Sequence, residues 1–268
     1  MSTAAPINLT ALKARQQATW ASGDYAEIAT LIVPVAERLA DAADLRAGSA
    51  VLDVASGSGN AAIAAARLGA VVTGVDYVPS LLARGRERAA AERVAIDLRE
   101  GDAEALPFAD ASFDATLSVF GSMFAPDHGR TAAEILRVTR PGGTIGLASW
   151  TPDGFIGAMF QTVAAHVPPP SGVASPMLWG TEQHLAGIFG ADVTWTHRTR
   201  AFTFRFASAA EFVERFGTYY GPTLKAVETA GSALERDLEE LAAAWSRLDR
   251  PGPIAVPAEY LESVGVRA

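Results

Sequence analysis

The chain contains no cysteine. That excludes disulfides, thiolate metal sites and a cysteine nucleophile, and it fits a cytoplasmic setting. Histidine is scarce. His128, His166, His184 and His197 are scattered without the short spacings of a metal-binding cluster. Positive charge is in deficit: 22 lysines and arginines face 30 aspartates and glutamates, a formal net charge of −8. A dedicated nucleic-acid binder normally carries the opposite excess. Long apolar runs are missing too, because Gly, Arg or Asp interrupts each one. No segment is therefore expected to span a bilayer, and Met1 to Gln17 has no signal-peptide core. No internal repeat or low-complexity tract is present, and a homo-oligomer is compatible with all of this.

What remains is a chain of 268 residues, 49% of them hydrophobic, enough to bury a substantial core. Leu9 to Leu45 reads as two helices broken at Ser22-Gly23-Asp24, with Asp24 as an N-cap and Glu27 near a capping box. Strand and helix then alternate. Strands are expected at Ala50 to Ala55, Ala70 to Val75, Val94 to Arg99, Asp114 to Val119 and Thr144 to Trp150. Helices are expected at Asn60 to Leu68, Pro79 to Glu92 and His128 to Thr139, with Pro141-Gly142-Gly143 as a turn. Such alternation predicts an α/β fold with a parallel sheet covered on both faces. Beyond Trp150 helices are expected at Phe155 to Val167, Glu182 to Phe189, Ala209 to Tyr219 and Pro222 to Leu248. Asp192 to Phe206 alternates as one long or two short strands, and Tyr260 to Val266 is a closing strand. No linker divides the chain, which reads as one domain over 1–268. Its parts are a helical lid (1–48), a ligand-binding core (49–150), acceptor-side helices and strands (151–257) and the closing strand (258–268).

The densest chemical signal is Val51-Leu52-Asp53-Val54-Ala55-Ser56-Gly57-Ser58-Gly59-Asn60. A buried strand runs into a glycine turn, and an alanine-rich helix follows. Gly57 and Gly59 allow a sharp turn and close approach of a ligand, while the helix offers free N–H groups. The turn alone also fits a dinucleotide-binding fingerprint, and it equally fits a tight turn with no ligand. Asp53 favours a cationic ligand over a pyrophosphate, since like charges repel. It can also brace the turn by accepting backbone N–H bonds. Asp76 ends the second strand, where a carboxylate can accept both ribose hydroxyls or cap the following helix. Asp102, in Gly101-Asp102-Ala103-Glu104-Ala105-Leu106-Pro107-Phe108, can accept from an adenine amino group or belong to an ordinary polar loop.

Together with Gly74-Val75-Asp76, Phe113-Asp114 and Arg137-Val138-Thr139-Arg140-Pro141-Gly142-Gly143, these motifs resemble, in order and spacing, the class I S-adenosylmethionine-dependent methyltransferases. The branch they resemble is the small-molecule one, similar to quinone C-methyltransferases, and the likeness covers about residues 47 to 150. It implies a Rossmann-like, doubly wound seven-stranded sheet, mostly parallel, with helices on both faces, an antiparallel last strand and an N-terminal helical lid. It also implies S-adenosylmethionine as cofactor. Gly57 and Gly59, with Asp53 and Ala55, would lie along the methionine moiety. Asp76 would bind the ribose, Asp102 and Ala103 the adenine edge, and Ser118 would sit near the methionine portion. Tyr77 and Leu81 would pack beside the adenosine. Trp20 and Tyr25, in the lid, would shield the sulfonium with their ring faces or simply pack, and Gly23 would serve as the lid's hinge.

The acceptor is expected to be a small, partly hydrophobic or aromatic molecule. Phe120, Met123, Trp150, Met159, Trp179 and Tyr220 are the candidate walls, each also a plausible core residue. Candidates for a base are Asp127, His128 and Tyr219, with Asp127 also suited to cap the next helix. Two other readings stay open at this point: a nicotinamide-dependent oxidoreductase using the same glycine turn, and a non-catalytic S-adenosylmethionine-binding protein.

Overall fold

Val51, Leu52, Asp53 and Val54 are all buried, so both faces of the first strand are covered, as a central parallel strand requires. In the computed structural model, which describes residues 8–268, this strand is β1 (Ala50–Val54). Residues 1–7 of the expected lid lie outside the described residues. The other strands are β2 (Val71–Asp76), β3 (Ile96–Glu100), β4 (Phe113–Val119), β5 (Thr139–Trp150), β6 (Val193–Phe206) and β7 (Ile254–Arg267). They form one seven-stranded sheet in the order β3-β2-β1-β4-β5-β7-β6. Strands β1 to β5 pair in parallel. The last strand in sequence, β7, lies antiparallel between β5 and β6. This is the Rossmann-like sheet with an antiparallel last strand. The strand order reverses between β1 and β4, and a crevice opens at such a point beyond the carboxyl ends of the strands.

The helices are α1 (Leu9–Trp20), α2 (Tyr25–Ala29), α3 (Val33–Ala42), α4 (Asn60–Arg67), α5 (Pro79–Glu92), α6 (His128–Val138), α7 (Phe155–His166), α8 (Glu182–Phe189), α9 (Ala209–Tyr219), α10 (Gly221–Ala230) and α11 (Ser232–Ala244). Several differ from the sequence expectation. The second N-terminal helix is divided by a 3-10 turn over Thr30–Ile32, after which Pro34 sits in the first turn of α3. The helix expected over Pro222 to Leu248 is two helices, because Gly231 leaves the helical region with φ +65°. Pro141-Gly142-Gly143 is not a separate turn. It lies within β5, where the β4–β5 register shifts between Phe113 and Ala115. The closing strand begins at Ile254, six residues before the expected Tyr260. Pro257 is tolerated there because β5 pairs with β7 only from Tyr260 onward.

The C-terminal half supplies an aromatic layer. Phe204 and Phe206 of β6 meet Phe212 and Phe216 of α9, and Phe155 of α7 packs on Phe212. All five are buried. Among the described residues no helix is long and apolar enough to cross a membrane.

Candidate active site

The glycine turn is held from below by two carboxylates. Asp53, 1% exposed, accepts the Ala62 N–H at 2.9 Å and so fixes the first turn of α4. Asp76, from the next strand, accepts the Gly57 N–H at 2.8 Å and the Val78 N–H at 2.8 Å. Burial pushes the Asp53 carboxyl up to about 8, against the Ala62 hydrogen bond, and the nearby Asp76 adds to the rise. Burial also raises Asp76, to about 6, with the backbone N–H groups of Val78, Gly57 and Tyr77 pulling the other way. Arg88 of α5 ties the turn from the side. Its Nη1 donates to the Ser58 carbonyl (2.8 Å), Ser58 Oγ (3.0 Å) and Asn60 Oδ1 (2.7 Å). Gly57 and Gly59 have φ +54° and +84°, conformations that favour glycine.

Above the turn lies an open cleft. Ala55 and Gly57 form its floor. Asp76, Tyr77 and Leu81 follow from the β2–α5 side, and Asp102 and Ala103 from the loop after β3. Trp20 and Tyr25 close it from the lid. Three expected cofactor residues do not line it. Asp53 stands behind the turn as its brace. Gly59 caps α4 and packs towards Ile96 and Ile63. Ser118 donates to the Val54 carbonyl at 2.7 Å and accepts the Ser122 N–H at 3.0 Å, joining β4 to β1.

The lid is fastened by residues that carry no local sequence signal. Lys13 Nζ bridges Asp102 (2.6 Å) and the buried Glu104 (2.5 Å). Gln16 Nε2 donates to the Phe124 carbonyl at 3.3 Å, and Gln17 Nε2 to that of Tyr77. Lys13 and Gln16 both line the cleft, as does Asn60. Gly23, expected as a free hinge, is packed instead. A Cβ there would lie 2.8 Å from the Tyr219 carbonyl oxygen, and one on Gly221 would lie 2.0 Å from that of Thr19. The lid's end and the α9–α10 turn thus meet backbone to backbone.

A second, smaller space adjoins the cleft and shares Tyr25, Phe120 and Phe124 with it. Of the expected acceptor residues, Phe120, Trp150, Met159 and Tyr220 line this space. Phe120 has φ +55°, an outlier for a bulky side chain, and its ring stacks on Trp150 at 3.7 Å. Met123 and Trp179 lie in the core and line neither space. Trp179 packs edge-on against His128 and Phe189.

The three expected bases line neither space. His128 is buried, and its Nδ1 lies 2.9 Å from His184 Nε2. Burial, with His184 beside it, lowers its pKa to about 4. It lines neither cavity. Asp127 caps α6 by accepting the Arg130 N–H at 2.9 Å. Tyr219 is half-buried outside both spaces, and Tyr220 is the member of the pair that turns inward. Among the described residues no group of His, Asp and Glu side chains is placed to hold a metal ion.

A sheet of this order, with a ligand cleft over the β1 turn and acids ending β2 and following β3, defines a class I S-adenosylmethionine-dependent methyltransferase. A methyltransferase-domain family matches residues 52–147. The chain is 42% identical over 244 residues to the uncharacterized protein Rv1405c of Mycobacterium tuberculosis, covering 87% of this chain and 89% of that one. It is 41% identical over 123 residues to the demethylmenaquinone methyltransferase of Deinococcus radiodurans, covering 44% of this chain and 51% of the relative. The crystal structure of YcgJ from Bacillus subtilis shares the fold, with a TM-score of 0.63 at 19% identity over 87% of this chain and 97% of that one. The chain belongs to the class I methyltransferases and resembles the quinone methyltransferases among them, with S-adenosylmethionine as its cofactor. The nicotinamide alternative falls with that assignment.

Proposed function

We propose that this enzyme methylates a compact, partly hydrophobic organic acceptor seated in the second cavity, with S-adenosylmethionine in the cleft. The observation that carries the reading is the shared lining: Tyr25, Phe120 and Phe124 face both spaces, so the two adjoin and a molecule in each would meet the same three side chains.

The residues present fit this cofactor. Asp76 brings a carboxylate to the cleft beside the glycine turn, which suits a ligand bearing an ammonium and a sulfonium. Asp76 lines the cleft at the end of β2, placed to accept from the ribose hydroxyls. Asp102 and Ala103 border the adenine end, with Tyr77 and Leu81 beside the base. Trp20 and Tyr25 turn electron-rich rings towards the cleft, and such faces attract cations. When bound, S-adenosylmethionine supplies an electrophilic methyl carbon on sulfur. The protein's part is to align that carbon with the acceptor and to keep water away. His128 and Asp127 take no part, since neither reaches either cavity.

The test is formation of S-adenosylhomocysteine by the purified enzyme with acceptors graded from apolar aromatics to charged, strongly polar molecules. Turnover should be confined to the compact, largely apolar members and should fall when Trp150 is replaced by Ala. Turnover with polar acceptors alone, unaffected by that change, would refute the assignment of the second cavity.

A further inference from the structure

Among the described residues, Lys13 is the one cationic side chain that lines the cleft. It belongs to α1, outside the span matched by the methyltransferase family. Burial works against its charge, but the hydrogen bonds and negative charges of Asp102 and Glu104 prevail and raise its pKa. It is therefore an ammonium, with three N–H donors and no acceptor. Two of those donors are accounted for by Asp102 Oδ2 at 2.6 Å and Glu104 Oε2 at 2.5 Å. The third has no acceptor among the described residues. Both anchoring carboxylates are themselves held. Glu104 is buried, and its other oxygen accepts the Asp127 N–H at 2.8 Å. Asp102 Oδ1 accepts the Glu104 N–H at 2.9 Å. The Ala103 N–H, like the third ammonium donor, meets no acceptor among the described residues. One acceptor is thus flanked by two free donors: the Asp102 carboxylate is joined by the chain to Ala103 and by the ion pair to Lys13, and all three residues line the cleft.

A row of donor, acceptor and donor complements one purine. Adenine carries its 6-amino donor between two ring acceptors, N1 and N7. Hypoxanthine and guanine present an N1–H donor and a 6-oxygen acceptor instead. Taking as its basis the proposed function, in which Asp102 and Ala103 border the adenine, we infer that Lys13 is a further specificity-determining residue. Its third N–H donates to adenine N7, while Asp102 accepts from the 6-amino group and the Ala103 N–H serves N1. The lid helix then reads the base as well as covering it. Pairing with the methionine carboxylate is the other use for a lone cation, and the position of Lys13 argues against it. Lys13 is tied to the loop after β3, whereas on the same reading the methionine lies along the glycine turn after β1. Its charge is also already offset by two carboxylates. A docked base would shield the Lys13–Asp102 pair from water, where opposite charges attract more strongly, and so would tighten the lid.

The experiment measures binding to the whole chain by calorimetry with three ligands. They are S-adenosylhomocysteine, its 7-deaza analogue, in which a C–H replaces N7, and methylthioadenosine, which keeps the adenine but lacks the amino-acid carboxylate. The parent should bind the 7-deaza analogue roughly five- to twentyfold more weakly than S-adenosylhomocysteine, the effect of one hydrogen bond from a charged donor. Lys13→Met should bind those two ligands equally, and it should bind methylthioadenosine more weakly than the parent does. A lid merely loosened by the substitution would lower both homocysteine-ligand affinities together and preserve their ratio, so the ratio separates reading of the base from fastening of the lid. The inference is overturned if the parent binds the 7-deaza analogue as tightly as S-adenosylhomocysteine, if the parent's ratio survives in Lys13→Met, or if that variant binds methylthioadenosine as the parent does. Failure of S-adenosylhomocysteine itself to bind the parent would instead overturn the function on which the inference rests.

Discussion

Replacing Asp53 with Asn should stabilise the protein at alkaline pH and leave it unchanged in acid. Asp53 is buried in β1, and its hydrogen bond in the structure is to Ala62 N–H. Its folded-state pKa is about 8, whereas an unfolded aspartate titrates near about 4. Between those values the native chain holds a proton that the unfolded chain has released. Stability is therefore fully present below pH ~4, is lost as pH rises through about 8 and is constant beyond. Each pH unit in that window is worth about 1.4 kcal/mol, an upper bound of roughly 6 kcal/mol in all. Relaxation and water entry around a buried charge absorb part of it. A gain of about 2 kcal/mol at pH 8, or about 4 °C in melting temperature for a chain of this size, is the expected outcome. The side-chain carbonyl of Asn keeps the bond to Ala62, and its amide imitates the neutral acid. Calorimetric unfolding across the window, with parent and variant side by side, measures the difference. Parallel pH curves, or a variant less stable than the parent at pH 8, would show that Asp53 is ionised in the native state and that this account of the turn is wrong.

Other changes probe the cleft and the lid. Asp76→Ala should weaken S-adenosylhomocysteine binding by roughly 1–3 kcal/mol in calorimetry; unchanged affinity would remove Asp76 from the site. In the parent, that affinity should fall as pH drops through about 6, where Asp76 takes up a proton and loses acceptor capacity, and Asp76→Asn should abolish the dependence. Lys13→Met leaves Glu104 without its cation and should loosen α1 by about 1 kcal/mol, read as faster hydrogen exchange over Leu9–Trp20; unchanged protection would mean the ion pair does not fasten the lid. Gly221→Ala forces a Cβ within 2.0 Å of the Thr19 carbonyl oxygen. It should cost about 1–3 kcal/mol and make the lid susceptible to protease in the presence of cofactor, whereas a fully protected lid would contradict the backbone packing described above.

Much of the cofactor half was legible in the sequence because its determinants are local. Asp53, Gly57 and Asp76 sit at or near the ends of short buried strands, and strand, turn and helix follow within a few residues. The seven-stranded sheet and its antiparallel last strand followed from the resemblance those motifs carry. The lid's fastening was not legible, since Lys13 meets Asp102 and Glu104 across some ninety residues and nothing in its own helix marks it. The two helices read as one over Pro222 to Leu248 turn on Gly231, a lone glycine in a strongly helical run. His128 sits in a stretch that faces the active end of the sheet, and only tertiary packing against His184 and Trp179 removes it from the chemistry. Likewise, Tyr25 and Tyr220 come together only because the lid's end and the α9–α10 turn meet.

On the proposed seating of the two ligands, the sharing of Tyr25, Phe120 and Phe124 by the two spaces has a kinetic consequence. Traffic is single file: whatever occupies the cleft stands in the doorway of the space behind it. With the lid fastened, the acceptor must be loaded before the cofactor, and S-adenosylhomocysteine must depart before the methylated product. Steady-state measurements would then show a compulsory order, and the slowest event of a cycle would be the unfastening of α1 rather than the transfer of the methyl group.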